Sequence, residues 1–576
     1  MNKLKLVIFL LGSLLIVNCS DNEAEFDPNS VDFTLNYGGP AIRDFIGQVV
    51  DESNNALVGA TIKIGSVTVQ TDVNGVFVIK AASVNTQFGY ITAEKAGYID
   101  GSRAVVPTDG ITNVRIMLFS DTTTATVSAG APSEVSLANG AKVNFKGTFK
   151  DESDVAYTGA VKVTLHFIDS GDDNLTVKMP GMLYGASSLV KPRNLKTYGM
   201  LSVDLKGAAG QKLKIASKAT VKIPINSTQL TTAPSSLSLW SFDEVKGYWN
   251  QEGDASIQSG SYVGTVKDVS FVNSATDFQV IAFRQSFLNS NGDKLANVNI
   301  GILRAGEIFP IIKTTNRDGQ IGSVVPANEV LTLNVYDNCG NIIKTAQVGP
   351  FTINTTSTSM TIGSDILPST AIKGNLFKCD NTPVTSGYVL IKSNNQTKLS
   401  SVPVTGVLNL NTLVCTSGTS FSLKAGDFDN SQTTDYINYT HTAPTTTIGN
   451  LKPCNTITEF ISYKIDNGAV KYIVDTFNVN ISGPSVAISG SNTISGLNMD
   501  IYGNAATAGI YTSNQFTIDN VDVGGTIDNT SSSTVSFNIS QIGASVGQYV
   551  DMTFVGTYMT GATTHTITGV AHVKRD

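Results

Sequence analysis

Charge is scarce in this chain. Asp, Glu, Lys and Arg make up only 15% of its 576 residues, and nowhere do lysine and arginine gather into a block. A nucleic-acid surface needs clustered cations to neutralise phosphates, and a net charge of −7 points the other way, so no nucleic-acid partner is expected. Histidine is nearly missing: His166, His441, His565 and His572 stand alone, with no H-E-x-x-H and no Cys-x-x-Cys beside them. A zinc site therefore has no local ligand set, and neither a metal nor a cofactor is expected. Long apolar runs are absent beyond the N-terminus, which excludes a later membrane-spanning helix.

What is present is apolar and turn-rich. Hydrophobic residues reach 41%, too many for a solvated disordered polymer. With 52 glycines and many Ser, Thr, Asn and Val residues, the composition favours strands and turns over long helices. The length calls for several separate cores. The expected fold is an all-β, multidomain string of Ig/transthyretin-like β-sandwiches, with a larger central β domain and a C-terminal β module.

At the N-terminus, Lys3 and Lys5 precede an apolar run at 6–17 that ends at Cys19. The run is too short for a lasting transmembrane anchor and reads as an export signal. Ile16-Val17-Asn18-Cys19 resembles the lipobox of bacterial lipoproteins, which implies removal of 1–18, lipidation of Cys19 and a membrane partner held through acyl chains. Residues 20–42 hold Asp21, Glu23, Glu25, Asp27 and Asp32 and no base, so 19–40 reads as an acidic tether. Ser20-Asp21-Asn22-Glu23 resembles the signal that follows the lipidated cysteine in surface-exposed lipoproteins of Bacteroidetes bacteria. That resemblance implies an outer-membrane protein facing the medium.

The body repeats. Val49 and Leu57, Phe287 and Leu295, and Leu376 and Val384 are each eight residues apart across a polar turn, and alternating strands follow (TIKI, VNIGI, YVLI). In the first copy Gly47, Asp51, Gly59, Ala60, Thr71, Asp72, Gly75, Phe77, Gly97 and Tyr98 resemble the pattern of the carboxypeptidase regulatory-like domain, a transthyretin-like sandwich. Asp72 reads there as a turn-maker rather than a ligand or an acid. The boundaries expected are 41–120 for this copy, 276–357 and 358–452 for two degenerate copies, and 453–576 for the C-terminal module. In that module Gly547, Tyr549, Phe554, Gly556, Ile567 and Gly569 resemble C-terminal β modules of Bacteroidetes lipoproteins.

Between the first two copies, 121–275 reads as the larger domain. Met179-Pro180-Gly181, Gly199-Met200, Ile223-Pro224, Leu239-Trp240, Phe242-Asp243, Gly247, Trp249, Tyr262-Val263-Gly264 and Phe271 resemble the β domain of animal cartilage intermediate layer proteins and of related bacterial surface proteins. Both tryptophans of the chain fall here. Trp240, Phe242, Tyr248 and Trp249 either fill a sandwich core or form a stacking platform for an extracellular glycan or protein partner. Exposure decides between the two.

Other chemistry is thin. Gly543-Ala544-Ser545-Val546-Gly547 matches G-x-S-x-G, but between strands rather than at a strand-to-helix elbow, so no catalytic residue is assigned. Cys339, Cys379, Cys415 and Cys454 can form disulfides in an exported protein, and three pairings remain open. Asp121-Thr122-Thr123 resembles the O-glycosylation acceptor of these bacteria, with Thr122 as the acceptor. The function expected is a non-catalytic surface lipoprotein, structural, spacing or adhesive, with a carbohydrate-binding protein as the alternative.

Overall fold

A computed structural model describes residues 33–363, 369–394, 396–415, 419–456, 459–466, 471–473, 476–491 and 496–576. The signal, the lipobox and Cys19 lie outside them. The protein is all-β: among the described residues one four-residue α-helix (Leu175–Lys178) and two 3-10 turns are the only helical elements.

The first sandwich packs Pro40–Val50, Val76–Asn85 and Thr112–Met117 against a four-stranded sheet of Thr61–Ile64, Val67–Gln70, Gly89–Glu94 and Gly101–Val105. Phe45, Val49, Ile62, Phe77, Ile91 and Ile116 fill the space between. Its opening strand pairs antiparallel with Val76–Asn85 and parallel with Thr112–Met117. The same arrangement returns in the third copy, where Ser369–Leu376 pairs antiparallel with Val407–Leu413 and parallel with Thr445–Leu451. In the second copy the long strand Phe271–Asn289 takes that place, antiparallel to Gln320–Pro326 and parallel to Thr355–Thr356 and Met360–Ile362.

The repeat read from eight-residue spacing is reproduced bond for bond. The amides of Leu57, Leu295 and Val384 donate to the carbonyls of Val49, Phe287 and Leu376 at 3.0, 3.0 and 3.2 Å. The amides of those three residues in turn donate to the carbonyls of Gly75, Gly319 and Gly406 at 2.8, 2.8 and 2.7 Å. Each glycine has positive φ (67°, 71° and 74°). A Cβ there would sit 2.5, 2.6 or 2.4 Å from the carbonyl oxygen it faces, so glycine is required on two counts. Asp72 makes its turn by accepting the amides of Asn74 and Val76, and Asn316 does the same for Asp318 and Gln320.

The central domain is a large, mostly antiparallel sheet closed over Val143, Val163, Leu201, Val221, Leu239 and Tyr262. Its strand Phe271–Asn289 runs on without a break into the second sandwich, so the two bodies share a strand where a linker would otherwise stand. The C-terminal module packs a six-stranded sheet on a five-stranded one around Ile488, Phe516, Phe537 and Phe554.

The parts do not lie end to end, as a string of sandwiches would. The first sandwich is a hub. The Asn74 side chain donates to the Tyr388 hydroxyl of the third sandwich at 2.7 Å, and Tyr388 donates to Asp72. Arg284 and Asn316 of the second reach the carbonyls of Pro107 and Ile111, at 2.8 and 2.9 Å. Residues of the C-terminal module, Tyr463 and Thr553 among them, face Gly97 and Tyr98 across a crevice of about 220 Å³. Docking explains where alternation fails. Gly387–Ser393 reads as one-faced, yet its first four residues are all buried, because Tyr388 and Leu390 pack on Ile46, Val76 and Val78. The end of the expected tether is also folded in: Phe33–Tyr37 forms a 3-10 turn whose Phe33 and Tyr37 lie in a cluster with Phe88, Tyr184 and Tyr248.

Candidate functional site

The aromatic motif sits on the hairpin Ser236–Asp243 and Tyr248–Gln258. The Asp243 carboxylate accepts the amides of Val245 and Lys246, and the Gly247 amide donates to the Asp243 carbonyl at 2.8 Å, closing the turn. All four rings are inside: Trp240 and Trp249 are 0% exposed, Phe242 1% and Tyr248 5%. Trp240 Nε1 donates to the Ala275 carbonyl at 3.2 Å and Trp249 Nε1 to the Met182 carbonyl at 3.1 Å, so both indoles are satisfied within the protein.

Of the two readings, exposure selects the filled core over the stacking platform. These rings are the core between the central domain and the hub: Ile99 and Phe119 of the first sandwich join Trp240, Phe242 and Trp249 in one cluster. Tyr90 seals its edge, donating its hydroxyl to the Glu244 carbonyl at 2.7 Å. Tyr248 packs the other way, its ring tilted by 42° against that of Phe33 with centroids 4.3 Å apart. A ligand could reach none of them without parting two domains.

The cysteines pair as Cys339–Cys415 and Cys379–Cys454, with Cα atoms 6.0 and 5.5 Å apart. The first bridge ties the second sandwich to the third. Thr122 is exposed, its hydroxyl 2.6 Å from that of Ser120, and the preceding Asp121 pairs with Lys206 at 2.9 Å. Gly543–Gly547 of the G-x-S-x-G match lies between Ser536–Ile542 and Tyr549–Thr560, strand to strand. His565 and His572 bind Asp466 and Asp551, at 2.7 and 2.5 Å, along the same sheet.

Two features escaped the sequence reading. The first is the plug between hub and third sandwich. Burial pushes the Asp72 carboxyl up to about 6, against the pull of its bonds to Tyr388, Val76 and Asn74. The Tyr388 phenol is raised well above its usual range, by burial and then by the Asp72 charge. The second is a cleft of about 200 Å³ where four bodies meet, lined by Arg103 and Arg115 of the hub, Lys313 of the second sandwich, Lys398 of the third and Thr176 of the central domain. Among the described residues no carboxylate lines it. These cations are scattered over three repeats, and no local motif could have announced them.

No family model matches the chain. It is 29% identical over 107 residues to cartilage intermediate layer protein 2 of Mus musculus, covering 19% of this chain and 9% of that protein. To cartilage intermediate layer protein 1 of Sus scrofa it is 30% identical over 115 residues, 19% of each chain. The chain thus spans about a tenth of the length of the first curated relatives it matches. Among solved structures it is similar to the minor pilin of Streptococcus agalactiae, with a TM-score of 0.14 and 10% identity over 31% of this chain and 97% of that one. It is also similar to the major pilin subunit of Bacillus cereus, with a TM-score of 0.12 and 8% identity over 72% and 99%. The likeness to the cartilage proteins is confined to a fragment, and the likeness to the pilins transfers no activity.

Proposed function

We propose that the chain is a non-catalytic structural component of a bacterial cell surface, lipidated at Cys19 and displayed from the outer membrane as a spacer or adhesive body. One observation carries this reading: the first sandwich is hydrogen-bonded to the central domain and to the second and third sandwiches and faces the C-terminal module, so its polar and aromatic groups hold domains together. The buried indoles, the Asp72 to Tyr388 plug and the Cys339–Cys415 bridge all serve that end. Burial of Trp240 and Trp249 takes away the support for a carbohydrate-binding alternative at the aromatic motif. Exposed Thr122 stands at the join between hub and central domain as the proposed glycan acceptor.

Metabolic labelling with a fatty-acid analogue tests the anchor. Wild-type protein takes the label and sediments with membranes, while Cys19→Ser does neither. An unlabelled wild-type chain that leaves membranes in plain buffer removes the anchor from the proposal, and protease shaving of whole cells tests outward display.

A further inference from the structure

The four-body cleft holds an unusual electrostatic arrangement. Arg103 is 4% exposed and donates from Nη1 to the Met179 carbonyl at 3.0 Å. Arg115 Nη2 donates to Asn54 Oδ1 at 3.1 Å, and Lys398 Nζ to the Asn297 carbonyl at 2.7 Å. These partners are neutral. Lys313 forms no hydrogen bond or ion pair with any described residue, and the charge that acts on it is that of Arg103. Burial, helped by the Arg103 charge, pushes the Lys313 ammonium down to about 7, and burial brings Lys398 down to about 8 against the pull of the Asp337 carboxylate, which lies outside the cleft lining.

Cations withdrawn from water are costly unless an opposite charge meets them. Arg103 is buried and Arg115, Lys313 and Lys398 are half-buried along one cavity with no carboxylate among its described walls, an arrangement that favours an anion. The cavity is large enough for a small polyatomic anion, and Thr108, Thr112 and Thr176 add hydroxyl groups to its lining.

We propose that this cleft binds a small multivalent oxyanion (sulfate, phosphate or a di- or tricarboxylate) with Lys313, Lys398, Arg103 and Arg115 as its ligands. Since the four come from three sandwiches, the bound anion clamps hub, second and third sandwich together. The site is independent of the lipid anchor and of any adhesive partner.

Thermal unfolding of the full mature chain tests it, with sulfate, phosphate and citrate each compared against sodium chloride at the same ionic strength. At least one of the three raises Tm above the chloride control in a saturable way, by the mass action of a ligand that binds the folded state. Lys313→Met keeps the side-chain bulk and removes an unpaired cation. It raises Tm without added anion and weakens the anion-specific shift at least tenfold in concentration. Lys398→Met also weakens the shift, and Lys214→Met, at an exposed position away from the cleft, leaves it unchanged. Which anion acts at the lowest concentration separates inorganic from carboxylate ligands. The proposal is overturned if chloride matches all three anions, or if Lys313→Met and Lys398→Met both retain the full shift.

Discussion

Trp240 and Trp249 are buried by their surroundings rather than by their own sequence pattern. A glycine at 185 lets the Trp240 ring approach, since a Cβ there would lie 2.9 Å from it, and a glycine at 247 admits Tyr90 in the same way. The two indoles therefore act as packing volume with satisfied N–H groups. Trp249→Ala opens a cavity in a core shared by two domains and is expected to cost about 3–5 kcal/mol, read as a lowered denaturant midpoint. Glycan binding, if the protein has any, is expected to be untouched in the fraction that stays folded. A glycan affinity lost while the midpoint holds would contradict the buried role. The residues of this motif were legible from the sequence; their exposure was not, because an aromatic hairpin reads the same whether solvent or another domain lies above it.

At the scale of the element, the Thr71 to Gly75 turn does two jobs. Its backbone closes the repeat, and its side chains Asp72 and Asn74 enter the third sandwich. Only the first job was visible in the spacing, since a turn-making Asp looks alike whether its second oxygen meets water or Tyr388. The sign of the pH effect follows from burial. Docked, Asp72 titrates at about 6; undocked, it returns to the ordinary carboxylate range near 4. The docked state thus holds the proton more tightly, so docking is strongest below pH 4, weakens as pH rises through 4 to 6, and levels off above that. Against Asp72→Asn, which carries no titrating proton, wild-type stability is expected to fall by about 1–3 kcal/mol across this interval. Denaturant titrations of both proteins at pH 4, 5, 6 and 7 check it, and a flat difference would refute it. The strand Gly387–Ser393 teaches the same lesson: period-two alternation assumes one wet face, and a docked strand has none.

At the scale of the molecule, noncovalent ties converge on the first sandwich while a covalent one joins the second to the third. The Cys339–Cys415 bridge closes a 76-residue separation between two sandwiches, so the Cys339→Ser, Cys415→Ser double variant is expected to lose about 2–4 kcal/mol. It should also become sensitive to proteases between the second and third sandwiches. Non-reducing peptide maps should contain the 339–415 and 379–454 pairs, and any other pairing would contradict the arrangement. The sequence by itself determined the all-β class, the repeated hairpin unit and its glycine turns, since these rest on local periodicity and on backbone angles few residues can adopt. Tertiary structure alone decided which rings are dry, which cysteines meet, and that cations from distant repeats share one cleft. Those outcomes depend on how domains dock, and docking joins residues hundreds of positions apart that no local pattern relates.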